Sequence, residues 1–230
     1  MNTGILYIIA TPIGNLGDIT NRAIETLQKV GLIVCEDTRT SKKLLDKYEI
    51  KTPTVSFYQF QRNKGAVKPV PKLDYIIAEI KAGKNVALIT DAGTPGISDP
   101  GNQLVERAIE NGIAVIPIPG VSALTTLASV SGIDLTKFVF LGFPPHKKGR
   151  ETFFKKVVVF NFPVIYFESP HRLIKNLELL KSLAPEKKVI LGRELTKMFE
   201  EIVRGNVSEV LEYFTENKDK VKGEIVTIAY

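Results

Sequence analysis

Apolar residues recur along the chain with two alternating periods. Short apolar runs such as ILYIIA (5–10), LIVC (32–35), NVALIT (85–90) and IAVIPI (113–118) are bounded by polar or Gly/Pro segments and read as buried strands. Between them, apolar positions fall on one helical face. Ile24, Leu27 and Val30 mark a first helix, with Thr20 as its N-cap, and Leu44 and Leu45 a second. Leu73, Ile76, Ile77 and Ile80 mark a third that Gly83 ends, and Leu104, Val105, Ala108 and Ile109 a fourth that stops at Asn111-Gly112. TVSF (54–57) adds a short strand. Strand following helix in this way predicts a mainly parallel sheet covered on both faces.

The pattern shifts near Pro117–Gly120, which divides the chain into domains 1–118 and 119–230. The second half opens with VSALTTLASVSG, a small-residue helix. Strands FVFLGF (138–143), PVIYFE (163–168), KVILGREL (188–195), FEEIVRG (199–205) and GEIVTIAY (223–230) follow, with helices on Leu173, Ile174, Leu177 and Leu180 and on Val207, Val210, Leu211 and Phe214. Short links between several of these strands predict antiparallel pairing and a mixed sheet. The segment YQFQRNKGAVKPVPK (58–72) is polar, basic and proline-containing, and reads as a long loop or as disorder.

The most punctuated stretch is DAGTPGISDPG (91–101), which follows directly on NVALIT. Glycine permits positive φ and close backbone approach, and proline fixes φ. Such a loop at the carboxyl end of a parallel strand either faces a ligand or is a tight connection to the next helix. TPIGNLG offers Gly14 and Gly17 but not the three glycines of a dinucleotide fingerprint, and GxxxxGK[ST] is absent. With Cys35 alone and only His146 and His171, neither a zinc site nor a cysteine-protease centre has its residues, and no structural metal is expected. Cys35 reads as a small buried hydrophobe.

Lys plus Arg number 31 against 25 Asp plus Glu, a net charge of +6 that favours a polyanionic partner. No apolar run approaches the roughly 18 residues of a membrane span, and the N-terminal residues lack a basic leader region, which reads as a cytoplasmic chain. EDTR (36–39), ESPHR (168–172) and GRELTK (192–197) each set a carboxylate beside a cation after a strand. They serve either as ion pairs and helix caps at a cleft rim or as groups that hold phosphates and deprotonate a hydroxyl.

Taken in order, TPIGNLGDIT, CEDTR, DAGTPGISDPG, PGVSAL, FLGFPP, ESPHR, GRELTK with FEEIVRG, and GEIV resemble the signatures of the ribosomal RNA small-subunit methyltransferase I family, in the tetrapyrrole-methylase-like superfamily. The resemblance covers residues 5–228. It implies the two-domain α/β tetrapyrrole methylase fold (class III), a homodimer, S-adenosylmethionine in the cleft between the domains, and a cytidine 2′-hydroxyl of 16S rRNA as methyl acceptor. Carried onto this chain, it implies donor contacts from Pro12, Gly14, Asp91, Gly93, Thr94, Pro95, Gly96, Ile97, Ser98, Ser122, Ala123, Phe167 and Glu168. Asp37 or Glu36 is then the expected base, with Lys197 beside the chemistry. Arg39, Lys147, Lys148, Arg150, Arg172 and Arg193 are the expected RNA contacts. Two departures stand out: YQFQRN (58–63) replaces a histidine-rich stretch, and many members continue past GEIV into a helical extension. A tetrapyrrole methylase on the same scaffold and an RNA-binding module without catalysis are the alternatives.

Overall fold

The computed structural model describes residues 3–57, 71–99 and 101–230. Most of the 58–72 loop, including YQFQRN, lies outside the described residues. Two compact units divide the chain after Ser122.

The first unit alternates β1 (Ile5–Ile9), α1 (Asn21–Lys29), β2 (Leu32–Cys35), α2 (Thr38–Lys47), β3 (Thr54–Ser56), α3 (Pro71–Lys81), β4 (Val86–Ile89), α4 (Asn102–Glu110) and β5 (Ala114–Ile118). All strand pairs are parallel, in the order β3-β2-β4-β1-β5. Both faces are apolar because successive side chains of one strand serve opposite layers. Val86 and Leu88 pack with Leu6, Val34, Ile76 and Leu104 on the α3/α4 side. Ala87 and Ile89 pack with Ile9, Ile33 and Leu27 on the α1 side. Thr20 caps α1, its hydroxyl accepting the N–H of Ala23 at 3.1 Å. Cys35 is fully buried. At one edge, β5 carries Pro117 opposite Ile8 of β1.

The second unit contains α5 (Ala123–Ser129), β6 (Val139–Phe140), α6 (Arg150–Val159), β7 (Val164–Glu168), α7 (Leu173–Leu183), β8 (Lys188–Arg193), β9 (Glu201–Asn206), α8 (Val207–Glu216) and β10 (Ile225–Ala229). Its sheet runs β6-β7-β10-β8-β9, parallel only between β6 and β7. Tyr166, Val189, Leu191 and Ile225 meet Phe154, Leu177, Val210 and Phe214 from α6, α7 and α8 in one core. An asparagine capping box starts α8, with Asn206 and Glu209 exchanging bonds at 2.8 and 3.0 Å.

Two sequence expectations are corrected. FVFLGF yields only the two-residue β6, because Gly142 takes φ +65 and Pro144 has no N–H for a ladder. The helix α6 has no counterpart in the sequence reading, since FF and VVV resemble strand text. Phe153, Phe154, Val157 and Val158 nonetheless repeat at i, i+1, i+4 and i+5, and Phe154 and Val157 are buried.

Candidate active site

In the first unit, β1 and β4 are neighbours whose following helices cover opposite faces: Leu27 of α1 joins one core layer and Leu104 of α4 the other. Adjacent strand ends that diverge in this way make the crevice where open α/β sheets take ligands. The two loops are joined there. Thr11 N–H donates to Gly93 O at 2.9 Å and Gly93 N–H to Thr11 O at 3.0 Å. Thr11 Oγ1 also donates to Thr90 O at 3.0 Å. Gly93 sits at φ +82, where a Cβ would stand 3.4 Å from Ile13 Cγ2, so this junction suits glycine. Thr94 Oγ1 donates to Val121 O at 3.0 Å and ties the loop to the chain after β5.

Around this junction Pro12 and Pro95 are buried, while Gly14, Asp91, Ile97 and Ser98 are exposed and Gly96 is half-buried at φ +85. Ser98 holds φ +63, a strained value for a residue with a Cβ. Ser122 closes the first unit and Ala123 opens α5 in the second.

The ends of β2 and β4 bring three carboxylates together. Asp91 Oδ1 accepts the N–H of Asp37 at 3.2 Å. Asp37 caps α2 and is committed to Arg39: Oδ1 accepts the Arg39 N–H at 2.8 Å, and Oδ2 lies 2.7 Å from Nη2. Those bonds hold its carboxyl down at about 2. Glu36 goes the other way. Burial, then the charge of Asp91, raises it above the usual carboxylate range, although it accepts the Asp91 N–H.

A profile of the Tetrapyrrole (Corrin/Porphyrin) Methylases matches residues 5–211. A relative from Leptospira biflexa named ribosomal RNA small subunit methyltransferase I is 43% identical over 97% of this chain and 89% of its own length. One of the same name from Thermotoga maritima is 43% identical over 98% and 97%. The chain belongs to the ribosomal RNA small subunit methyltransferase I family. Family members differ in length, and this chain covers 76% of the Bacillus subtilis relative at 40% identity. Two solved structures share the fold. They are a cobalt precorrin-4 methyltransferase (TM-score 0.68, 17% identity, 97% of this chain and 93% of that one) and a uroporphyrin-III-C-methyltransferase from Thermus thermophilus (TM-score 0.65, 15% identity, 98% and 94%).

In the second unit of this methyltransferase I family member, several expected side chains are occupied by structural work. Glu168 is buried on the α7 side of β7, where its carboxylate accepts Asn176 Nδ2 and Ser169 N–H, each at 2.7 Å. Burial raises it, against those bonds and the nearby Arg172 and Arg150. Strand alternation turns the neighbouring Phe167 to the other face, against Phe140 and Phe143. Glu168 thus braces the start of α7 from a buried position.

Arg193 is also inward. Only 4% exposed, it pairs with Glu201 at 3.3 Å and donates to Phe199 O at 3.1 Å, while its Nη1 has no hydrogen-bond partner among the described residues. Arg172 donates to Pro144 O at 2.9 Å, and Arg150 to the carbonyls of Pro145 and His146, so both staple the PPHKKGR loop. Lys147 and Lys148 stay exposed at its tip. Lys197 lies between Glu194 (2.9 Å) and Glu224 (3.2 Å). Burial alone would lower its pKa, but the two carboxylates raise it, which favours the charged form. Glu194, at φ +52, and Gly223, at φ +83, define this knot, which family motifs alone did not reveal. Among the described residues no group of three or more His, Cys, Asp and Glu could hold a metal ion, and no helix is long and apolar enough to cross a membrane.

Proposed function

We propose that the chain methylates the 2′-hydroxyl of a cytidine in 16S rRNA of the small ribosomal subunit, in the cytoplasm and as a homodimer, with S-adenosylmethionine as donor. The observation that carries the reading is the name shared by relatives 40–44% identical over almost the whole chain. The first unit fits the donor on its own terms. Thr90 Oγ1, 2% exposed beside the Thr11–Gly93 junction, has no hydrogen-bond partner among the described residues and can serve a polar ligand group. Glu36 and Asp91 supply negative charge suited to a sulfonium ligand. Pro12, Gly14, Gly93, Thr94, Pro95, Gly96, Ile97 and Ser98 would give it shape and main-chain groups, with Ser122, Ala123 and Phe167 as further contacts.

When bound, the donor supplies a methyl group on a sulfonium, open to in-line displacement by a nearby oxygen. A ribose hydroxyl is a weak nucleophile, so a base that takes its proton helps by about 10²–10⁴-fold. Of the two candidates, Glu36 carries the higher proton affinity, and Asp37 is tied to Arg39. Glu36 is therefore the base in this reading. Arg39, Lys147 and Lys148 are the exposed cations left to meet phosphates, with Lys197 as fixed positive charge.

The test is methyl transfer from labelled S-adenosylmethionine to assembled small subunits, naked 16S rRNA and a tetrapyrrole, with the product mapped as ribose methylation. Label on the tetrapyrrole alone would move the chain to the second reading, which the shared fold of the two solved structures favours. RNA binding with no donor binding and no transfer would leave the RNA-binding module.

A further inference from the structure

On the second unit, α6 turns Thr152, Lys155, Lys156 and Val159 outward, away from its buried Phe154 and Val157. With Phe160 they line a depression on the surface. Val159 is 77% exposed, an unusual position for a valine, and just past the helix Phe162 is 44% exposed. Lys137 Nζ stands 5.8 Å from the centroid of the Phe162 ring, within cation–π range. The other end of the helix begins beside exposed Lys147 and Lys148. A helix of this length spans roughly 15 Å.

Acidic groups along this track are few and engaged. Glu151 pairs with Lys155 at 2.6 Å, and Asp134 accepts the N–H and hydroxyl of Thr136 at 2.8 and 2.6 Å. Neither is called upon by the chemistry above, and neither are Lys137, Lys155, Lys156 or Phe162. Cations in a row with an aromatic ring at the end match what single-stranded nucleic acid needs: charge along its backbone and a face on which a base stacks.

We propose that the outer face of α6, from Lys147 and Lys148 to the Lys137–Phe162 pair, binds an unpaired stretch of RNA, with one base stacked on Phe162. The proposal rests on the RNA reading of function and adds to it a second contact surface. Lys156 and Lys137 meet phosphates, Val159 and Phe160 pack against sugar or base, and Phe162 supplies the stacking face.

The experiment is fluorescence anisotropy of the full chain with a short labelled oligouridine RNA over a series of salt concentrations, with Phe162→Ala, Phe162→Tyr, and Lys137→Ala combined with Lys156→Ala. Loss of a stacked base should weaken binding about 5- to 150-fold in Phe162→Ala, with an unchanged salt slope, and Phe162→Tyr should restore it. The double lysine variant should flatten the slope by about 0.7 for each phosphate released. Binding by Phe162→Ala within twofold of the parent chain overturns the surface, and leaves the proposed function intact if rRNA is still methylated. A parent chain that does not bind the oligouridine also overturns the surface, while the proposed function stands or falls by the methyl-transfer assay. Sedimentation velocity supplies the other arm: a change of oligomeric state in Phe162→Ala with unaltered RNA affinity assigns the face to self-association and also overturns the proposal.

Discussion

Asp91 Oδ1 accepts the backbone N–H of Asp37 across 3.2 Å, so the carboxylate that follows β4 fixes the turn that follows β2. The same turn presents Glu36 to the charge of Asp91. In the proposed reaction Glu36 must be ionised, and the rate falls as pH drops through its raised pKa. Asp91→Asn keeps an acceptor for Asp37 but removes the charge, so the acidic limb of kcat should move to lower pH. Glu36→Gln should lower kcat by about 10²-fold or more, and Asp37→Asn far less. An acidic limb that stays put in Asp91→Asn rules out this coupling.

Asp37 has a folded-state pKa of about 2, below the roughly 3.9 of an unfolded chain. Its stabilising contribution is therefore present above about pH 4 and is lost as pH falls toward 2. Melting temperatures recorded across that window should drop less in Asp37→Asn than in the parent. Parallel curves would show that the Arg39 bonds do not survive in solution.

Gly223 carries the Glu194 carboxylate directly over its α-carbon, and any Cβ there would collide with it. Gly223→Ala should cost about 2–4 kcal/mol, from left-handed strain plus displacement of Glu194 from Lys197 and from the Glu224 N–H. Gly132, at φ +73 with open space around it, isolates the strain component, and Gly132→Ala should cost only about 1–2 kcal/mol. Urea unfolding of the two variants decides the comparison, and equal losses would remove the packing argument.

Arg193 and the loop lysines should separate cleanly. Arg193→Ala removes one of two cations from the half-buried Glu201, which keeps Lys220, and empties the buried space of the guanidinium, so it should lose about 1–3 kcal/mol of stability. Its folded fraction should keep the parent's salt dependence of RNA binding. Lys147→Ala with Lys148→Ala should reverse the pattern, with little change in melting and a shallower salt slope. A shallower slope in Arg193→Ala would put that guanidinium back on the RNA.

Thr94 touches the chain after β5 through one partly buried hydroxyl bond. Thr94→Ala should cost about 1 kcal/mol of stability and weaken donor binding less than tenfold by calorimetry. A loss of a hundredfold or more would mean that the hydroxyl itself meets the ligand.

Most of the first unit was legible in the sequence because buried parallel strands and one-faced helices leave different periods, as NVALIT and Leu73–Ile80 do. The second unit was read less completely, since the helix α6 is written with Val157, Val158 and Val159, whose β-branched side chains suit strands better. The loops that follow β1 and β4 could be placed from glycine and proline alone. The direction of individual side chains could not. Phe167 and Glu168 are neighbours in a motif, yet the pleat sends them to opposite faces, and Arg193 lies buried inside an ion pair that only the return of β9 creates.

Pro117 in β5 has a consequence away from the chemistry. A terminal strand with free main-chain groups and a partly exposed residue such as Ile116 is a template on which another molecule can add a strand. A residue with no N–H removes one rung from any such ladder. The β5 edge is thereby a poorer template for a strand from another molecule, which guards it against edge-to-edge growth.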